Sequence, residues 1–566
     1  MKLKNGLLAF FLITASLVSA QEKEITLEEI WNGTFRQERL QSLQSLNNGE
    51  EYVVLNFDRE RRTSSIDVYS YKTGEKNRTL VTSANLEDIE YFSDFEFSED
   101  ESKIILATEV EPIYRRSSRG IYYVYDLENE TLTKISENKI QEPALSPDGN
   151  KVAYVFENNI YIRDLGSGVP KAIGTTQVTT DGAENKIING ITDWVYEEEF
   201  SFVQAYRWNE TGEKIAFLRF DESEVPTFSM DIYGRYGEQL YPSQEVIKYP
   251  KAGEANSVVT LHMYDVSEKE TTQVDLPVDY EYIPRILWTS EPNILSVQTL
   301  NRHQNNLNLI FVNAATNQAK VVLNESNDTY VAIDDDLTFL EDNSFIWTSE
   351  KSGWNHIYLY DKNGDLINQV TDGNWVVTSY YGFDPETNRI FYQSTENGSI
   401  NRDVFSIKKN GRKKERLTQK TGTNSADFSA DFTYFINSFT SADTPLVYTL
   451  HLAKNGKLVR KIQDNSELLE ILEPYNLSEK EFSTIHINGN DLNMWMIKPP
   501  NFDPNKEYPL FMFQYSGPGS QSVSNRFFST NDYWYQLLAQ EGYIVACVDG
   551  RGTGMKGSKF KKVTQY

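Results

Sequence analysis

The chain has 566 residues, too many for one ordinary domain, so two or more are expected. Aromatics make up 13% of it, with 34 Tyr and 30 Phe, a composition that favours strands over helices. A formal net charge of −27 argues against nucleic acid or an anionic membrane surface as partner. It mildly favours cationic peptides, with solubility alone the simpler account.

The N-terminus has the layout of a secretory signal. Lys2 and Lys4 precede the apolar run Leu7 to Leu17, and Val18-Ser19-Ala20 offers a small-residue cleavage site before Gln21. The run is too short to span a bilayer comfortably, so cleavage near Ala20 and export to the periplasm or the exterior are expected, with no membrane anchor. Cys547 is the only cysteine, which leaves no lipid anchor at the cleavage site and no internal disulfide. An exported chain without disulfides must be held by a large core, and this length allows one.

A weak repeat follows: a polar turn, a hydrophobic strand, then an aromatic-rich strand often ending in Tyr-Asp. Units begin at Leu46-Asn47-Asn48-Gly49, Phe97-Ser98-Glu99-Asp100, Leu145-Ser146-Pro147-Asp148-Gly149 and Trp208-Asn209-Glu210-Thr211-Gly212. Four more begin at Trp288-Thr289-Ser290, Leu340-Glu341-Asp342-Asn343, Phe383-Asp384-Pro385 and Phe428-Ser429-Ala430. Most are spaced roughly 45–50 residues apart, within the range of propeller blades. The expected fold is mainly β, an eight-bladed β-propeller over residues 45–480, since each small sheet must bury its faces against neighbours. The long interval after Asn209 holds Tyr233 to Tyr241 and Tyr249-Pro250-Lys251, and is read as an excursion from its blade.

Between the third and fourth units lies Asp193-Trp194-Val195-Tyr196-Glu197-Glu198-Glu199-Phe200. On a strand the three carboxylates would alternate between faces, whereas a helical turn could set two of them side by side. Adjacent carboxylates repel and need a cation, and no Lys or Arg lies between Lys186 and Arg207. The cation must come from elsewhere in the fold or from a ligand. A solvated acidic turn is the competing reading, weakened by the anchoring Trp194, Val195 and Tyr196.

The pattern changes after about residue 480. Leu510-Phe511-Met512-Phe513 reads as a buried strand, Tyr533 to Gln540 as a helix, and Tyr543 to Val548 as another strand before the glycine-rich Asp549 to Gly554. That alternation suggests the start of an α/β domain over 481–566.

These strings together carry a family resemblance. The glutamate motif, Tyr249-Pro250-Lys251-Ala252-Gly253-Glu254, Gly353-Trp354-Asn355-His356-Ile357-Tyr358, Tyr515-Ser516-Gly517-Pro518-Gly519-Ser520-Gln521 and Asp549-Gly550-Arg551-Gly552-Thr553-Gly554 resemble the dipeptidyl peptidase IV family of serine exopeptidases, in the same order. The resemblance implies that Glu198 and Glu199 hold the α-ammonium of a peptide substrate. It implies that Arg115, in Tyr114-Arg115-Arg116-Ser117, binds the substrate carbonyl beside them, with Arg116 the competing assignment. It implies that Tyr515 donates its hydroxyl to the oxyanion. It further implies that residues 21–44 pack on an α/β-hydrolase domain, that the excursion after Asn209 helps form a homodimer, and that N-terminal dipeptides are released with Pro or Ala beside the cleaved bond.

A serine hydrolase of this type needs Gly-x-Ser-x-Gly, then an acid, then a histidine. No Gly-x-Ser-x-Gly occurs, and none of His262, His303, His356, His451 and His486 follows a candidate nucleophile. In the family the whole triad lies beyond the position of Tyr566. The expectation is therefore a catalytic domain cut short and a fragment inactive as given. No cofactor or metal is expected, because the histidines are scattered and Asp549 to Gly554 lacks the Lys-Ser/Thr of a phosphate loop. A prolyl tripeptidyl aminopeptidase and a non-catalytic peptide-binding propeller stay open. Of the three glutamates, Glu197 is expected to matter least.

Overall fold

The computed structural model describes residues 23–166, 174–234 and 240–565. The signal-like residues 1–20 lie outside the described residues, as does 235–239 within the excursion.

From Leu43–Ser45 to Leu458–Gln463 the chain forms eight successive antiparallel sheets. Seven have four strands laid side by side in chain order, and the fourth has five because Tyr206–Trp208 adds beside Lys214–Asp221. Seven of the eight polar turns read from the sequence fall between the first and second strands of their sheets, and the one at Trp208 to Gly212 joins Tyr206–Trp208 to Lys214–Asp221 in the fourth. Their chemistry recurs. A serine hydroxyl donates to an aspartate two residues on at Ser98–Asp100 (2.7 Å), Ser146–Asp148 (2.5 Å) and Ser429–Asp431 (2.7 Å). Gly49, Gly149 and Gly212 close their turns at φ +67°, +64° and +68°.

Inner strands of several sheets are buried on both faces. Ile104 to Ala107, Arg389–Ser394 and His356–Tyr360 are buried throughout, while the fourth strand Lys76–Thr82 is mostly exposed. Apolar clusters join each sheet to the next along the chain. The eighth also packs on the first, Tyr434, Ile436 and Leu450 against the fully buried Tyr71. Arg460 Nε donates to the Tyr71 carbonyl at 3.1 Å across this seam. The sheets thus close on themselves.

The excursion is a two-stranded ribbon, Thr227–Ile232 paired with Ser243–Lys248, leaving the fourth sheet. After the eighth sheet come helix Ser466–Leu472 and a mixed sheet in the order Lys480–Ile487, Asn490–Ile497, Ile544–Val548, Leu510–Phe513. The last two are parallel, joined through helix Thr530–Gln540. That helix begins three residues before the expected Tyr533. Ser529 caps it, its side chain paired with Asp532 in a reciprocal capping box. The helix and sheet share a core of Trp495, Ile497, Tyr535, Ala539, Val545 and Cys547.

Ile25, Ile30 and Phe35 pack on Leu468, Leu472, Phe528 and Tyr533, so the first described segment joins the C-terminal part. Glu350 of the sixth sheet pairs with Lys561 and, at 3.0 Å, with Lys562. Asn525 donates its amide to the Ile400 carbonyl at 2.9 Å. A cavity of about 900 Å3 opens between sheets five to seven and the loops at Gly519 and Met555. Among the described residues no helix is long and apolar enough to cross a membrane.

Candidate active site

The glutamate motif folds as the short helix Trp194–Glu199. Asp193 caps it. Its Oδ1 accepts the Tyr196 amide at 2.9 Å, and its Oδ2 accepts the Ser257 hydroxyl at 2.5 Å. Tyr196 is fully buried, and its hydroxyl accepts the Ile283 amide at 2.9 Å. Trp194 packs on Tyr249 with ring centroids 4.6 Å apart, which brings the Tyr249-Pro250-Lys251 string against the glutamate helix.

Successive helical residues turn about 100°, so three adjacent glutamates cannot share one environment. Glu197 points inward and is 2% exposed. Its Oε1 accepts the Arg116 and Ser117 amides at 2.6 and 2.9 Å. Glu198 is half-buried and pairs with Arg115, whose Nε donates to Oε1 and Oε2 at 3.0 and 2.8 Å. Glu199 is exposed and forms no hydrogen bond or ion pair among the described residues. Both outward carboxylates lie at the C-terminal end of the helix, whose last turn holds no basic residue. Helix polarity disfavours anions there, so the arrangement favours an added cation.

The surroundings are acidic. Burial together with Glu222, Glu245, Glu197 and Glu184 raises the Tyr114 phenol, immediately before Arg115. The Glu222 carboxyl is pushed up to about 7 by burial and by Asp193 beside it. Burial raises Asp193 itself. The one guanidinium reaching the outer carboxylates is that of Arg115, whose side chain is 69% exposed and whose Nη atoms form no hydrogen bond among the described residues. They are free to meet a carbonyl oxygen. Arg116 instead turns its Nε to the Glu197 carbonyl at 3.3 Å and its Nη2 to Ser201 at 3.0 Å, a packing role.

Tyr515 follows strand Leu510–Phe513 at its C-terminal edge and is 72% exposed. A side chain at Gly517 would stand 2.7 Å from the Tyr515 ring, so glycine there lets the ring lie over the turn. The glycine-rich loop after Val548 folds back on this turn. Gly519 donates to the Gly552 carbonyl and Gly554 to that of Ser520, both at 2.8 Å. These amides are spent within the protein rather than turned toward a phosphate. No hydrogen bond joins Tyr515 to the glutamate helix, and neither Tyr515, Arg115, Glu198 nor Glu199 lines the 900 Å3 cavity. The structure therefore brings together Arg115 and Glu198, places Glu199 beside them, and leaves Tyr515 on a separate element. What the sequence did not signal is the inward anchoring of Glu197, since its partners are backbone amides 80 residues away.

A family model described as the dipeptidyl peptidase IV (DPP IV) N-terminal region matches residues 98–446. A Phaeosphaeria nodorum protein named probable dipeptidyl-aminopeptidase B is 30% identical over 603 residues, 97% of this chain and 64% of that protein. An Aspergillus flavus protein named probable dipeptidyl peptidase 4 is 31% identical over 522 residues, 88% of this chain and 66% of its own length. The chain thus spans under two thirds of these curated relatives. The crystal structure of Porphyromonas gingivalis dipeptidyl peptidase 4 superposes with a TM-score of 0.88 at 40% identity, covering 96% of this chain and 76% of that one. The matched region takes in seven of the eight turns, from Ser98 onward, together with the glutamate helix and Arg115; on this sequence and structural similarity, the chain belongs to the dipeptidyl peptidase IV family.

Proposed function

We propose that this chain is the substrate-recognising portion of an exported serine dipeptidyl peptidase that removes dipeptides from free peptide N-termini. Glu198 and Glu199 hold the substrate α-ammonium, Arg115 holds its first carbonyl, and Tyr515 stabilises the oxyanion. The observation that carries this is the pairing of Arg115 with Glu198 beside an unpaired Glu199. One face of the site is neutralised, and one carboxylate is left for an incoming cation. An ammonium held there fixes how many residues reach the reacting serine, which is how a binding contact sets an exopeptidase register. The division into 21–44, 45–480 and 481–566 belongs to this reading, as does a homodimer formed through the ribbon. Leu240 and Tyr241, just before the second strand of that ribbon, are 91% and 82% exposed.

The 566 residues contain no Gly-x-Ser-x-Gly, so they should not turn over substrate by themselves. Reading the gene beyond Tyr566 for that motif, followed by Asp and His, is the first test. The second is mass spectrometry of products from a version carrying the triad, with free and N-acetylated X-Pro peptides. Dipeptides from the free peptide alone support the proposal. Tripeptides, cleavage of the acetylated peptide, or activity of the 566-residue chain on a Gly-Pro chromogenic substrate would each overturn part of it.

A further inference from the structure

We infer that Glu197 is a positioning residue: its inward carboxylate anchors the turn at Arg116 and Ser117 to the glutamate helix and so sets Arg115 beside Glu198. The inference rests on the proposed ammonium site and gives Glu197, the first glutamate of the motif, a role in it without substrate contact.

Arg115 sits on a hairpin turn of the second sheet, between strands Lys103–Pro112 and Ser118–Asp126. The turn is closed locally. Ile113 donates to the Ser117 carbonyl at 2.8 Å, and the Tyr114 amide to the Ser117 hydroxyl at 3.2 Å. Nothing local fixes how the whole turn leans toward the helix. One oxygen of Glu197 does so, taking the Arg116 and Ser117 amides at 2.6 and 2.9 Å, with the Arg116 side chain adding its bonds to the Glu197 carbonyl and Ser201. Both amides converge on one oxygen of a buried carboxyl group, away from competing water. Arg115 is otherwise free to swing, because its side chain is largely exposed and meets only Glu198. A long side chain on an unanchored turn would lose that pairing to rotamer and backbone freedom. Since a single oxygen accepts both amides, glutamine can replace Glu197 here. Leucine, of similar volume, cannot.

The test compares Glu197→Gln, Glu197→Leu and Glu197→Ala in the 566-residue chain by amide hydrogen exchange, calorimetric binding of the free-amine dipeptide Gly-Pro, and thermal melting. Glu197→Gln should keep the Arg116 and Ser117 amides protected and bind within about threefold of the parent. Glu197→Leu should expose both amides and bind roughly tenfold more weakly. Adding Arg115→Ala to Glu197→Leu should cost little more, because the two act on one interaction. Protected amides in Glu197→Leu, or a fully additive loss with Arg115→Ala, overturns the inference. So does unfolding of both Glu197→Leu and Glu197→Ala, which would assign Glu197 to folding instead. If the parent binds no dipeptide, the proposed site fails while the exchange result still judges the anchor.

Discussion

Glu198 and Glu199 differ in what already balances them. Glu198 has the Arg115 guanidinium, and Glu199 has no cation among the described residues. An ammonium meeting both forms charge-assisted hydrogen bonds worth on the order of 1.5–3 kcal/mol each. In a version that carries the triad, Glu198→Ala or Glu199→Ala should lower kcat/KM roughly 10- to 150-fold, at about 1.4 kcal/mol per tenfold. Steady-state kinetics measures this, and unchanged values would return the pair to a solvated acidic turn. Tyr515 makes a separate prediction. Its side chain is exposed and its hydroxyl forms no hydrogen bond among the described residues, so Tyr515→Phe should leave thermal stability unchanged. Loss of one oxyanion donor should reduce kcat about 100- to 1000-fold. A stability change with normal kcat would make Tyr515 structural. At this scale the acidic, cation-seeking chemistry was legible in the sequence. The partition of three identical side chains was not, because it depends on which face of one helical turn meets the second sheet.

The glutamate helix has six residues and would not persist alone. Its cap holds it: Asp193 serves both the Tyr196 amide and the Ser257 hydroxyl. Asp193→Ala should cost about 1–2 kcal/mol, with more from the orphaned Ser257. Asp193→Asn, which keeps the amide acceptor, should lie closer to the parent. Denaturant titration distinguishes the two, and equal stability of Asp193→Ala and parent would deny the cap its role. The polar turns were found from sequence because Ser-x-Asp and glycine with positive φ are local chemistry. The short first strands, such as Thr338–Phe339 and Leu43–Ser45, were not, since two or three residues carry no alternation to read. The helix start at Thr530 was missed for a related reason. The helix is expected from Tyr533, while its beginning is written in the Ser529 cap.

Across the whole molecule, burial of acids gives stability a pH dependence. Burial pushes the carboxyls of Glu142 and Glu222 up to about 7. Glu142 faces Glu96, Arg207 and Glu197; Glu222 faces Asp193, Asp221 and Lys248. Between the ordinary carboxylate pKa and about 7 the folded chain holds protons that the unfolded chain has released. Stability therefore falls as pH rises through that window and levels off above it. For the well-buried Glu222 a shift of this size corresponds to at most about 3 kcal/mol. Asp67 and Asp181 run the other way. Although burial opposes it, hydrogen bonds from Lys76 and Arg219 hold their carboxyls low. Their contribution is present at neutral pH and lost as pH falls below the usual carboxylate range. Thermal melts from pH 4 to 8 should thus peak on the mildly acidic side, and Glu222→Gln should flatten the slope between pH 5 and 7. A parent curve that rises steadily to pH 8, or one unchanged by Glu222→Gln, would contradict this.

The sequence by itself determined the strand-rich composition, the eight repeated turns, the α/β pattern after residue 480 and the carboxylate pair, because all of these rest on neighbours along the chain. The tertiary structure decided the rest. It packed the eighth sheet on the first through Tyr71, joined Ile25, Ile30 and Phe35 to Tyr533, and set Arg115 on Glu198. Each of these contacts links residues 80 or more positions apart, and its energy comes from burial or charge pairing that exists only once the sheets have closed.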